Sequence, residues 1–353
     1  MREIFLGSKK INEDSEPYII AEIGVNHENS LQKAFELIDL AKEGGADAVK
    51  FQTYKAEKIA SINSPSYWDL NEVPTETQYK LFKKYDHFNP EDYGKLYKYA
   101  TEKKIEFIST CFDLDAVDFL DPMMNFYKIA SADITNYPLL RKIASKKKPV
   151  ILSTGASTTL EISNACIELK NNGVNFISLL HCILNYPTKE EDANLNMIKF
   201  LANNFPNYII GLSDHSYPDK NMNICSMSYV IGARIIEKHF TYDKSLKDND
   251  HFHSMDINDL KILKKNCLES KKILGMHTKK ILESEKISNK NARRSIVIKK
   301  KVLKNDTLTN DMLICKRPGT GISPSNIDRI IGRKAIKDLD EDRILDWLDI
   351  SDQ

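Results

Sequence analysis

Residues 18–27 read YIIAEIGVNH, residues 28–47 read ENSLQKAFELIDLAKEGGAD, and residues 48–52 read AVKFQ. The first piece is an apolar run, Tyr18-Ile19-Ile20-Ala21, short enough for a fully buried strand and interrupted only at its end by Glu22, Asn26 and His27. The second has an N-capping residue, Ser30, ahead of Leu31, Phe35, Ile38 and Ala41 at helical spacing, and Gly44-Gly45 stops it. The third is again apolar until it ends in Lys50 and Gln52. Strands that stay apolar until polar residues finish them, joined by helices, predict a parallel barrel with its chemistry at one mouth.

Outward from that unit the pattern repeats to about residue 275. Strand-like runs are expected at 105–108, 126–129, 149–152, 176–180, 208–212 and 234–237, with helical segments between them. Eight strands and no glycine-rich dinucleotide turn favour a (β/α)8 TIM barrel, an α/β fold, over an open doubly wound sheet. Residues 1–17 read as a short hairpin before the first strand. The stretch 53–88 is too long and aromatic for a plain connection and suits a substrate lid. The segment 276–292 is charged and predicts a linker. From Arg293 the chain turns to strand-like SIVI, a turn at Lys304-Asn305-Asp306 and a glycine-rich RPGTG loop, which suits a small β-rich domain over 293–353.

Composition narrows the partners. Lys and Arg total 51 against 50 for Asp and Glu, so broad electrostatic binding to nucleic acid or membrane is not expected. The six cysteines are scattered without a CxxC, which disfavours disulfides and structural zinc and predicts a reducing, cytoplasmic setting. No apolar run approaches a membrane span.

The predicted strand tips carry Glu22, Asn26, Lys50, Gln52, Thr110, Lys128, Ser131, Asp133, Ser153, His181, Asp214, His215, Glu237, Lys238 and His239. Lys50 and Lys128 with the hydroxyls of Thr110, Ser131, Ser153 and Ser213 suit a ligand carrying phosphate and carboxylate groups. His215 and His239 suit a divalent metal with open positions. Glu22 and Asp133 could move protons or hold a sugar hydroxyl. Each residue also has a structural reading: lysines in ion pairs, hydroxyls as helix caps, Asp214 orienting a histidine, Gly155 and Gly211 as backbone requirements. Their convergence on one end of the strands favours a site.

The motifs AEIGVNH, DAVKFQ, KIASADITNYP, ILSTG, HCILNYP, GLSDHS, EKHF and DNDHFHSMD, in this order, resemble the sialic acid (N-acetylneuraminate) synthase family. The tail ARRSIVIKK…KRPGTGISP…IIGRKA resembles its antifreeze-protein-like (SAF) domain. That resemblance implies a transferase condensing phosphoenolpyruvate (PEP) with an N-acylated hexosamine, N-acetylmannosamine or a 2,4-diacetamido-trideoxyhexose, to a 2-keto-3-deoxy nine-carbon acid and phosphate. It implies PEP contacts from Lys50, Thr110, Lys128, Ser131, Ser153 and Ser213, and catalytic roles for Glu22, Lys50, Lys128 and Asp133. Gln52, Tyr186, Asp250 and Arg317 fall on sugar-contacting positions. His215 and His239 fall on the metal positions, with Mn2+ or Mg2+ as the ion. A domain-swapped homodimer is implied, with Arg317 of one subunit reaching its partner. Asp133 stands where many members carry Glu, and Asn249 where Pro is common. The KIASADITN spelling leans away from pseudaminate synthesis. A PEP-dependent synthase acting on a phosphorylated aldose and a catalytically silent polysaccharide-assembly scaffold are the alternatives.

Overall fold

The computed structural model describes residues 2–70, 73–276 and 278–352. Two compact units divide the chain, Met1–Gly275 and Met276–Gln353.

In the first unit the described residues form an eight-stranded parallel sheet. Its strands are β1 (Tyr18–Gly24), β2 (Ala48–Thr53), β3 (Glu106–Cys111), β4 (Tyr127–Ile129), β5 (Val150–Ser153), β6 (Ile177–Cys182), β7 (Ile209–Asp214) and β8 (Ile235–His239). Hydrogen bonding runs β3-β2-β1-β8-β7-β6-β5-β4. The two end strands, β3 and β4, lie side by side and close the barrel. Helices α1 (Leu31–Gly44), α2 (Pro90–Glu102), α3 (Leu114–Leu120), α4 (Tyr137–Ala144), α5 (Thr159–Asn171), α6 (Asn196–Asn204), α7 (Asn223–Val230) and α8 (Ile257–Leu274) follow the strands in turn.

The local signals act as their chemistry requires. The Ser30 side chain accepts from Lys33 N, capping α1, and Gly45 ends that helix in the left-handed conformation at φ 91°. Gly44 is needed for a different reason: a Cβ there would lie 2.5 Å from Leu260 Cδ2, so its absence lets α8 pack closely on α1. Gly211 is a backbone requirement of the barrel wall, since its Cβ would lie 2.3 Å from Ile235 O. Before β1, Glu3–Leu6 and Lys9–Asn12 pair as an antiparallel hairpin that buries Ile4, Leu6 and Ile11.

Several strands run further than the apolar runs suggest. Ser109, Thr110, His181, Cys182, Ser213, Asp214, Lys238 and His239 lie within strands. A parallel ladder needs only backbone partners, so it continues through polar residues where the neighbouring strand is present. The helical segment between β6 and β7 is a 3-10 turn (Glu190–Asp192) followed by α6.

In the second unit, β9 (Ser295–Ile298) and β10 (Leu313–Lys316) pair antiparallel. Its core includes Ile296, Ile298, Val302, Leu308, Ile330, Leu339 and Leu345. The stretch 276–292, expected as a linker, includes a 3-10 turn (Glu283–Glu285) and a helix (Lys286–Ala292). It belongs to the second unit, where Gly319 N donates to Lys290 O at 2.8 Å.

Candidate active site at the barrel mouth

Side chains alternate across a strand, and that alternation sorts the candidates. Register pairs Glu22 with Lys50, Gln52 with Thr110, Ser213 with Glu237 and Asp214 with Lys238. Glu22, Lys50, Gln52, Thr110, Lys128, Ser131, Ser153, Tyr186, Ser213, His215, Glu237, His239 and Asp250 all line one cavity.

Two buried lysines make its floor. Lys50 Nζ lies 2.7 Å from Glu22 Oε2 and 3.6 Å from Glu237 Oε1, and donates to Thr110 Oγ1 at 3.0 Å. Lys128 Nζ also lies 3.6 Å from Glu237 Oε1. Ser213 Oγ donates to Glu237 Oε1 at 3.2 Å, and Gln52 Nε2 donates to Glu22 Oε1 at 2.9 Å. The buried Ser153 Oγ has no hydrogen-bond partner. Ser131 Oγ accepts from Gly155 N at 2.8 Å, and a Cβ on Gly155 would stand 2.9 Å from that oxygen. Burial pushes the Glu22 carboxyl up to about 7, against the attraction of Lys50. Burial also opposes the charge on Lys50, yet Glu22 and Glu237 together hold its pKa above the usual value. Lys128 is shifted down, by burial first, with Glu237 resisting. Two lysines, balanced here by Glu22 and Glu237, together with the hydroxyls and the unpartnered Ser153 Oγ, offer donors that suit an anion.

Above the floor stands an imidazole and carboxylate group. Ligand atoms of His239, Asp250 and His253 lie within 4.8 Å of one another. His239 Nδ1 is 3.3 Å from Asp250 Oδ2 but makes no hydrogen bond, and neither nitrogen of the fully buried His253 has a partner. Burial holds both imidazoles far below their ordinary pKa, in the neutral form a metal requires, and pushes Asp250 up to about 6. Orphaned buried imidazoles beside a carboxylate fit a divalent ion. His215 stands at the edge of this group, its ring 5.5 Å from that of His239 and 4.2 Å from that of Tyr186. Its Nδ1 lies 2.9 Å from Ile183 O, a contact that fixes the Nδ1–H tautomer and leaves Nε2 as the lone-pair nitrogen.

The outer wall is apolar and aromatic. The stretch after β2 contributes Tyr54, Ile59, Tyr67, Trp68, Val73, Leu81, Phe82 and Tyr85, and Phe112, Leu184 and Phe252 complete it. Lys84 ties this stretch to the loop after β8 through Asp248 at 3.2 Å.

Other candidates go elsewhere. Lys238, between the inward Glu237 and His239, points the opposite way and pairs with Asp214 at 2.6 Å, so Asp214 orients no histidine. His181 Nε2 is held by Ala193 O at 2.8 Å. Asn26 donates to Phe240 O and Ser254 Oγ, fastening the loop after β8. Asp133, expected to be catalytic, is absent from the cavity lining; its carboxylate accepts from Asn136 Nδ2 at 3.0 Å. Arg317 is an exposed residue of the second unit. Asp250, expected to meet sugar, groups with the imidazoles. Sequence reasoning missed His253 altogether and gave Glu237 no role; the paired histidines in DNDHFHSMD and the alternation of Glu237 with His239 were the available signals.

A closed parallel barrel with buried lysines, hydroxyls and a candidate metal centre at its mouth is the scaffold of an enzyme. The chain belongs to the NeuB family, whose model matches residues 37–279, and the SAF domain model matches residues 293–351. It is 39% identical over 337 residues to N,N'-diacetyllegionaminic acid synthase of Legionella pneumophila, covering 94% of this chain and 93% of the relative. It is 33% identical over 327 residues to human N-acetylneuraminate-9-phosphate synthase, covering 92% and 90%. A crystal structure of the N-acetylneuraminic acid synthetase of Leptospira borgpetersenii matches with a TM-score of 0.73 and 34% identity, over 81% of this chain and 95% of that one. The family thus spans synthases of several nonulosonic acids. Among the described residues no helix is long and apolar enough to cross a membrane.

Proposed function

We propose that this chain is a nonulosonate synthase that joins PEP to a 2,4-diacetamido-2,4,6-trideoxyhexose. The observation that carries this reading is the division of one cavity into a floor holding both lysines and a wall of aromatic and aliphatic side chains. The floor suits the phosphate and carboxylate of PEP. The wall suits a deoxygenated sugar carrying a C6 methyl and two acetyl methyls better than a hydroxyl-rich one. Lys50 and Lys128 are the sole lysines or arginines among the described lining residues, and both lie at the floor. A second phosphate, as on a sugar 6-phosphate or a phosphorylated aldose, would lack a cation there.

In the proposed reaction C3 of PEP bonds to the aldehyde carbon of the open-chain sugar, and the aldehyde oxygen takes a proton. Water adds to the cationic C2, and phosphate leaves with cleavage of its C–O bond. Lys50, Lys128 and the hydroxyls of Thr110, Ser131, Ser153 and Ser213 hold PEP. Glu22 exchanges the proton, its raised pKa making both forms available near neutrality. Gln52 orients Glu22, and Tyr186 packs against the sugar. A divalent ion, Mn2+ or Mg2+, supplies Lewis-acid polarisation of the aldehyde when bound. His215 and His239 are the holding pair that the family resemblance implies. The same resemblance supports a cytoplasmic homodimer in which Arg317 of one subunit meets an acylamino group in its partner's barrel.

The test is phosphate release from PEP with manganese, comparing the diacetamido sugars, N-acetylmannosamine and its 6-phosphate, with mass spectrometry of the product. Release with the diacetamido sugar is expected to dominate. Turnover confined to the 6-phosphate would overturn the substrate assignment, and no turnover with any of them would favour a silent scaffold.

A further inference from the structure

We infer that His253 is a further protein ligand to the metal, joining His239 and Asp250 in a group at whose edge His215 stands, and that these imidazoles favour Co2+ and Zn2+ over Mg2+. The inference rests on the metal centre of the proposed function but does not need the sugar assignment. His253 is the fully buried end of a 3-10 turn, His251–His253, in the loop after β8. Its ring lies 4.8 Å from that of His239 and 5.7 Å from that of Tyr186. Its Nε2 is 4.0 Å from Asp250 Oδ1, beyond hydrogen-bond reach, and neither nitrogen has another partner. A buried imidazole with two unused nitrogens is costly, and a cation between it, Asp250 and His239 would satisfy all three groups.

The neighbours show how the loop delivers it. His251, two residues earlier, is engaged by Thr241 Oγ1 at 2.7 Å and Glu28 Oε1 at 3.2 Å, so its ring is already spoken for. Ser254 Oγ donates to Asp250 O at 2.6 Å and Asn26 Nδ2 to Ser254 Oγ at 3.0 Å, which locks the turn between the two ligands. His215 lies farther from His253, at 6.3 Å between rings. His239, Asp250 and His253 leave open positions for His215, water or substrate, and imidazole donors favour Co2+ and Zn2+ over the hard Mg2+.

The experiment titrates the full chain, stripped by chelator, with Mg2+, Mn2+, Co2+ and Zn2+, following calorimetry and the visible absorption of the Co2+ form. Wild type is expected to bind Co2+ and Zn2+ far more tightly than Mg2+. His253→Ala and His253→Gln are expected to weaken Co2+ by at least ~10-fold, because losing even an outer partner of a ligand costs that much, and to change the Co2+ spectrum. His239→Ala should abolish binding. Unchanged Co2+ affinity and spectrum in folded His253 variants, with binding lost in His239→Ala, would overturn the role of His253 alone. Metal retained in every variant would overturn the centre itself, whereas phosphate release tests the synthase reading separately. Should the His253 variants fail to fold, wild type binding Mg2+ as tightly as Co2+ would still refute the inference.

Discussion

Lys50 Nζ lies 2.7 Å from Glu22 Oε2 across a register pair of β1 and β2, and both residues are buried. Both line the same cavity, and in the proposed reaction one holds PEP while the other exchanges the proton, so a change in either should be felt in both binding and turnover.

Glu22→Gln keeps the shape and the contact with Gln52 but cannot exchange a proton. Its kcat should fall by about 100-fold or more, the usual scale of general acid–base catalysis, with a smaller change in the KM for PEP. Steady-state kinetics across pH would check this, and the kcat/KM limb near pH 7 in wild type should vanish in the variant.

The same carboxyl makes stability pH-dependent. Its ordinary pKa is 4.5 and its folded value about 7, so between those values the folded state keeps a proton that the unfolded state has released. Stability from this group is therefore full below the lower value and is lost as pH rises through the upper one. Wild type should lose stability relative to Glu22→Gln over that window. Urea unfolding of both proteins at about pH 5 and about pH 7.5 reads it.

Lys238 and Asp214 form a buried pair on the outer face of the barrel wall, with Lys238 also donating to Ser216 O at 2.6 Å. Lys238→Met leaves a buried carboxylate unpaired and should cost about 3–5 kcal/mol. Lys238→Met with Asp214→Asn should recover part of the loss. Denaturant midpoints decide this, and a neutral single substitution would contradict the pairing.

Trp68 belongs to the apolar wall, away from the lysine floor. Trp68→Ala should raise the KM for the diacetamido sugar by about 10-fold, the scale of a few lost apolar contacts, and leave that for PEP nearly unchanged. A rise confined to PEP would place the two substrates the other way round.

Arg317→Ala carries the proposed contribution of the second unit. It should weaken the sugar more than PEP, and an unchanged sugar KM with a raised PEP KM would refute that role.

The sequence by itself determined the barrel and its order, because buried parallel strands must be apolar until they reach the mouth and their helices must carry caps such as Ser30 and Asn89. It also brought out Lys50, Lys128, Glu22 and the strand-borne hydroxyls, whose polarity stands out at strand ends. Only the tertiary structure decided which of those residues face inward. Glu237, Lys238 and His239 are consecutive and equally polar, but strand alternation sends the middle one to Asp214 on the other face. It alone folded the loop after β8 back so that His253 stands beside His239, and gathered the aromatic wall from the stretch after β2. The wall depends on the closing of the barrel, which places loops from distant strands around one mouth, and the histidine pair on the path of a loop; no local pattern of residues encodes either.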